Sequence, residues 1–219
     1  VKQERDFPNV INNAAHTQKH RQSLTERKLR RESLMTTYWL GNKLFLPKKY
    51  LFYLFFLHHQ ASGVPLRVLE IGFGTGLNAV VTAMAASEQH KAHYISLELY
   101  PVDDEMVAQL NYGELVDNDL LQSLHRAEWE LPQVITPYFT LEKRQCDFTQ
   151  CQLPQGIDVV YFDAFAPEKQ PEMWSEELFA RIYESMNIGG VLTTYCAKGE
   201  IRRRLQRVGF IVERLQGPP

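Results

Sequence analysis

From residue 66 onward the chain alternates short apolar runs with stretches of helical periodicity. The runs are RVLEI (67–71), YISLE (94–98), YFTLEK (138–143), IDVVYF (157–162), GVLTTY (190–195) and FIVERL (210–215). Apolar runs of this length, spaced by amphipathic segments, predict an α/β fold: a Rossmann-like parallel sheet with helices on both faces. The clearest helix is expected over 176–187, where Ser175 can cap and Glu176 and Glu177 suit the positive end. Gly189 and Gly190 would stop it. Its apolar residues Leu178, Phe179, Ile182, Tyr183 and Met186 share one face. After Gly199 a second helix directs Ile201, Leu205 and Val208 inward and leaves Arg202, Arg203, Arg204 and Arg207 mostly outward, as a solvated face or, as the second reading, an RNA-facing patch.

Ahead of residue 66 the pattern is weaker. A helix is expected through SLTERKLRRESLM (23–35), and a buried helix over the apolar run YLFYLFFL (50–57). That run is far short of the roughly 18 residues a membrane-spanning helix needs. Charge changes the picture: residues 1–50 hold eleven Lys+Arg against four Asp+Glu, a balance of +7 that leaves −9 for the rest. Two parts are therefore expected, a basic segment 1–50 and a catalytic domain 51–219. The three cysteines, Cys146, Cys151 and Cys196, fit neither a disulfide framework nor a metal site, and imply a reducing cytoplasmic setting. His16 and His20 have i, i+4 spacing but no third ligand nearby, so no metal is assigned.

The chemistry concentrates at strand ends. The first strand runs into EIGFGTGLN, placing Gly72, Gly74 and Gly76 where backbone amides can approach a ligand closely. A dinucleotide fingerprint would want its third glycine one residue later, where Leu77 stands. Glu70 precedes the loop, Glu98 ends the next strand at a ribose-binding distance in sequence, and Asp147 follows the third. Acids at one sheet edge, without phosphate-binding chemistry, suit a cationic adenosine ligand such as S-adenosylmethionine. Each acid alone could equally be a cap or a turn residue. Asp163 ends a fourth strand, in YFDAFAPEKQPEMW.

The stretches VLEIGFGTGLN, YISLELYP, DVVYFDAFAPEKQPEMW, GGVLTTYCAKGEIRRRLQRVGF and the closing GPP resemble the methyltransferase domain of the MnmC-type tRNA-modifying enzymes, including the stand-alone MnmD-like form. The resemblance implies a class I S-adenosylmethionine-dependent methyltransferase fold. It also implies methyl transfer to the aminomethyl nitrogen of 5-aminomethyl-(2-thio)uridine at the tRNA wobble position. By position, Glu70, Gly72, Gly74 and Gly76 would line the cofactor's methionine part, Glu98 its ribose and Asp147 its adenine, with Asp163 beside the reacting amine. The family's final strand, which follows GPP, and its downstream flavin oxidase domain are expected to be missing, leaving FIVERL without a partner. Two other readings stand beside this one. An aminopropyltransferase of the spermidine synthase type shares the sheet, the glycine loop and an acid near 163; a catalytically silent RNA- or protein-binding module would share only the fold.

Overall fold

The computed structural model describes residues 34–37, 64–110, 112 and 116–214. The helix expected over 50–57, most of that over 23–35, His16 and His20, and GPP lie outside them. Strand β1 is Leu34–Thr37, followed by β2 Leu66–Ile71, α1 Leu77–Ala85, β3 Ala92–Glu98, α2 Asp104–Gln109 and α3 Asn118–Arg126. Then come β4 Gln133–Thr136, β5 Phe139–Gln145, β6 Ile157–Phe162, a 3₁₀ turn Pro171–Trp174, α4 Glu176–Ser185, β7 Met186–Thr194, α5 Gly199–Val208 and β8 Ile211–Arg214.

Side chains alternate across a strand, and here both faces are apolar. Val68, Tyr94, Val159 and Tyr161 pack with Val80, Ala83, Leu121 and Leu124 of α1 and α3. Leu69, Ile71, Ile95, Val160, Phe162 and Leu192 pack on the other side with Phe179, Ile182 and Leu205 of α4 and α5. The eight strands run in the order β4-β5-β3-β2-β6-β7-β1-β8. All pairs are parallel except β4–β5. The order reverses beside β2, so β2, β3 and β6 present their carboxyl ends at the edge where such sheets bind ligands.

Three expectations are corrected. The helix over 176–187 ends at Ser185, because Met186 is already extended (φ −88°, ψ 150°). Gly189 and Gly190 do not stop it. They lie inside β7, where the register jumps from Ile157↔Met186 to Val159↔Val191. A Cβ on Gly190 would come 3.0 Å from the Asn187 carbonyl and 3.1 Å from that of Ile157, so the irregularity needs glycine there. The strand FIVERL is not left unpaired: β8 is paired in parallel with β1, which inserts between it and β7. Residues 34 and 35, expected at the end of a helix, therefore lie in a strand.

Among the described residues no helix is long and apolar enough to cross a membrane. All three cysteines are free thiols. Two of the α5 arginines are engaged locally: Arg204 bonds Glu200 and the Trp174 carbonyl, and Arg207 pairs with Glu176.

Candidate functional site

The turn after β2 is held in a left-handed path, with φ of +93° at Gly72, +50° at Gly74 and +72° at Gly76, conformations that L side chains rarely adopt. Gly76 caps α1, and its amide donates to the Phe73 carbonyl at 2.9 Å. Space above Gly74 is open, with nothing within 4 Å of a built Cβ. A ligand can therefore approach the bare backbone there.

Glu98 ties this turn to the end of β3. One of its oxygens accepts the Gly74 amide at 3.0 Å and the other the Tyr100 amide at 2.9 Å. A carboxylate oxygen accepts more than one hydrogen bond, so acceptor capacity remains on each for a vicinal diol.

Glu70 lies one layer below, 1% exposed, accepting from the Ser96 hydroxyl at 2.8 Å. Its Oε1 has no hydrogen-bond partner. Burial pushes its pKa up to about 8, against the lowering effect of Ser96, so the group is largely neutral at pH 7.

Asp147 closes a turn after β5. Its Oδ1 accepts from the Thr149 amide at 2.8 Å and the Thr149 hydroxyl at 2.7 Å, and these bonds hold its pKa below the ordinary value. Its Oδ2 meets Gln150 Nε2 at 3.3 Å. Asp147 is thus a turn former whose second oxygen is only weakly engaged.

Asp163 follows β6 directly and is exposed toward the open edge. Its backbone carbonyl would lie 3.8 Å from a Cβ on Gly72, which places it against the turn. Asn78 Nδ2, in the first turn of α1, donates to its Oδ2 at 3.4 Å. Protein atoms crowd the carboxyl from behind, so desolvation pushes its pKa upward while the Asn78 bond opposes the shift.

The loop that carries Asp163 is pinned by its carbonyls. Tyr195 donates its hydroxyl to Ala164 O at 2.8 Å, and the Trp174 indole N–H donates to Phe165 O at 2.8 Å. Trp174 is fully buried, whereas Phe165 is 67% exposed beside the carboxylate. Lys198 pairs with Glu168, and Lys169 is exposed.

Glu98, Asp147, Asp163 and the three glycines therefore gather at one sheet edge, with Glu70 beneath it. Sequence reasoning did not single out Asn78, though it lies in the quoted glycine stretch, two residues past Gly76. Nor did it find Tyr195, or the group behind the loop formed by His125, Trp129 and Lys143. The donor set fits S-adenosylmethionine: open backbone for the methionine part, a two-oxygen acceptor for the ribose, and rim acids facing a cation.

Comparison with known proteins agrees. Residues 140–219 match a family described as S-adenosyl-L-methionine-dependent methyltransferase. The chain is 32% identical over 166 residues to the tRNA 5-methylaminomethyl-2-thiouridine biosynthesis bifunctional protein MnmC of Marinomonas sp. (strain MWYL1), covering 68% of this chain and 24% of that protein. It is 35% identical over 163 residues to the protein of the same name from Cupriavidus necator, covering 68% and 25%. It therefore spans about a quarter of the length of the curated relatives it matches. Among solved structures, MnmC2 from Aquifex aeolicus superposes with a TM-score of 0.57 at 20% identity, over 76% of this chain and 52% of that one, which supports the fold. The relatives do not favour the aminopropyltransferase reading. The chain carries the class I fold, its residues 140–219 match an S-adenosyl-L-methionine-dependent methyltransferase family, and over 68% of its length it is similar to the MnmC proteins.

Proposed function

We propose that this chain transfers a methyl group from S-adenosylmethionine to the aminomethyl nitrogen of 5-aminomethyl-(2-thio)uridine at the wobble position of tRNA, in the cytoplasm. The observation that carries the reading is the placement of Asp163: an open carboxylate against the glycine turn, on a loop pinned at two carbonyls, with an exposed aromatic ring two residues away.

When bound, the cofactor supplies an electrophilic methyl carbon and a neutral thioether leaving group. The amine must meet it with a free lone pair. A lysine-like amine with a pKa of about 10.4 is neutral in only about one molecule in a few thousand at pH 7, a cost of about 4–5 kcal/mol. Asp163 is too weak a base to remove that proton outright, and left alone with the amine it would favour the ammonium. Its role is to accept an N–H bond from the amine, aim the lone pair, and stabilise the charge that grows on nitrogen as the new bond forms. Asn78 holds the carboxylate by one oxygen. Glu98 and the glycine turn hold the nucleoside and methionine parts.

The test is incubation of the protein with labelled S-adenosylmethionine and tRNA bearing the aminomethyl group, followed by nucleoside analysis. Labelled 5-methylaminomethyl-2-thiouridine is expected; binding of tRNA with no cofactor affinity and no labelled nucleoside would instead identify a silent binding module.

Two variants probe the parts separately. Glu98→Gln loses the charge-assisted bonds to Gly74 and Tyr100 and turns an NH₂ toward one of those amides, so cofactor binding is expected to weaken by about 1.5–3 kcal/mol, read by calorimetry. Parent-like affinity would remove Glu98 from the site. Phe165→Ala removes the exposed ring that can stack on the target base, worth about 1–3 kcal/mol. It is expected to raise the KM for tRNA with less effect on kcat, and an unchanged KM would assign the ring no role in docking.

A further inference from the structure

Behind the glycine turn a lysine is buried in line with Ser96 and Glu70, on a sheet face lined mostly by apolar side chains. Lys143 of β5 is 1% exposed and follows Phe139 and Leu141 on the face packed against α1 and α3. Its ammonium donates to the His125 carbonyl at 2.7 Å and lies 4.7 Å from the Trp129 ring centroid and 5.4 Å from that of Phe73. Among the described residues it forms no ion pair. The two ring faces and one carbonyl are its counterparts.

Both contacts lead to the turn. Phe73 is the residue between Gly72 and Gly74, and its ring meets His125 edge-on at 5.3 Å and Trp129 at 6.3 Å. His125 Nε2 is 3.1 Å from the Thr75 carbonyl, so the tautomer with hydrogen on Nε2 donates to it. A Cβ on Gly76 would come 3.1 Å from that nitrogen and 3.3 Å from the Phe73 ring, which leaves no slack in the cluster. Burying an ammonium carries a desolvation penalty that a methionine of similar shape would not.

We propose that Lys143 is a positioning residue for the cofactor loop: its ammonium, held between Trp129 and Phe73 and bonded to His125, sets the 72–76 turn in its binding conformation. This rests on the reading that the turn holds S-adenosylmethionine.

Burial lowers the Lys143 pKa to about 8 and pushes that of His125 below its ordinary value. The groups facing Lys143 are His125 from α3, Trp129 beyond it and Phe73 from the turn, with Ser96 beside it on β3. The acids on this side are Asp104 of α2, acting through His125, and Glu70 of β2, which lies on the same face beyond Ser96 and is common to parent and variant. At pH 7 the lysine is charged; as pH rises through its pKa it discharges, and the attraction to both rings is lost.

Calorimetric affinity for S-adenosylmethionine, measured on the parent and Lys143→Met between about pH 6 and pH 10, tests this. At pH 7 the variant is expected to bind about tenfold more weakly, with an unchanged circular dichroism spectrum. The gap should close as pH passes the lysine's pKa. Equal affinities at pH 7 overturn the inference, and so does a gap that stays constant with pH, which is the mark of packing alone. Should Lys143→Met fail to fold, Phe73→Leu removes one ring face and keeps the lysine; several-fold weaker binding is then expected, and parent-like affinity overturns the proposal. A parent protein with no affinity at any pH overturns the cofactor reading and this inference with it.

Discussion

Asp163→Asn is expected to lower methyl transfer to tRNA by on the order of a hundredfold or more, the scale of a positioned polar group, while S-adenosylmethionine affinity stays close to the parent value. The size follows from what the side chain must do in a two-reactant displacement. The amine is held in line only if an acceptor takes one of its N–H bonds. Asparagine keeps the volume but offers a single carbonyl acceptor, and Asn78 already donates to this side chain. The remaining amide NH₂ would face the amine donor to donor. The developing positive charge on nitrogen also loses its counter-charge. Cofactor affinity is expected to be spared because, in the function proposed above, the turn glycines and Glu98 rather than Asp163 hold the cofactor. Asp163→Ala should behave alike, so a merely steric fault in asparagine can be recognised. Calorimetry for S-adenosylmethionine beside a single-turnover assay decides it, and a variant with parent-like turnover would end Asp163's candidacy.

On the proposed reading the same carboxyl should add a further drop to the acid side of the pH profile, beyond the fall that protonation of the substrate amine already imposes. Desolvation raises its pKa above the ordinary aspartate value. Protonation removes the acceptor, so activity should fall as pH drops through that raised pKa, earlier than an ordinary aspartate would allow. In Asp163→Asn the limb attributable to this group should disappear from the residual rate.

How far the sequence could carry the argument depended on how local each signal was. The strand 157–162 is read to the residue because four of its six positions are fully apolar and Gly156 precedes it. Strand-end acids are legible for the same reason: once β2, β3, β5 and β6 are placed, Glu70, Glu98, Asp147 and Asp163 fall at their carboxyl ends without further knowledge. Burial of Glu70 beneath the loop was not legible, because it depends on Ser96 and α1 closing over it. The glycines 189 and 190 look like a helix stop, and only the pairing of β7 with β6 reveals the irregularity they serve. LMTT in β1 directly follows the charged, helix-like run RKLRRES and reads as its continuation, although the TTYW that ends and follows it consists of residues that strands favour. Lys143 did leave a trace, since Phe139, Leu141 and Lys143 alternate onto one face of β5. Period-2 reading places a lysine inward there, but its ring partners come from distant residues 73 and 129.

Trp174→Ala is expected to cost about 3–5 kcal/mol of stability, with a fall in Tm on the order of 10 °C for a chain of this size. Trp174 is fully buried and meets Phe162 edge-on with ring centroids 4.9 Å apart, Tyr195 at 6.1 Å and Phe179 at 6.3 Å. Removing the indole leaves a cavity between β6, α4 and the pinned loop, and frees the Phe165 carbonyl from its donor. Trp174→Phe is the milder variant. It keeps one aromatic ring in the site but loses the N–H together with part of the indole, so its stability loss should lie between about 1–3 kcal/mol, the cost of an unpaired acceptor, and the loss in Trp174→Ala. If the indole bond holds Asp163 in place, this milder variant should lose methyl transfer out of proportion to its lost stability, because the loop can then drift from the glycine turn and a displacement of about 1 Å can cost on the order of a hundredfold in rate. Thermal melts and turnover on both variants answer the question together. Parent-like turnover in Trp174→Phe would make the tryptophan a core residue only, and would leave the Tyr195 bond to the Ala164 carbonyl as the restraint on the loop.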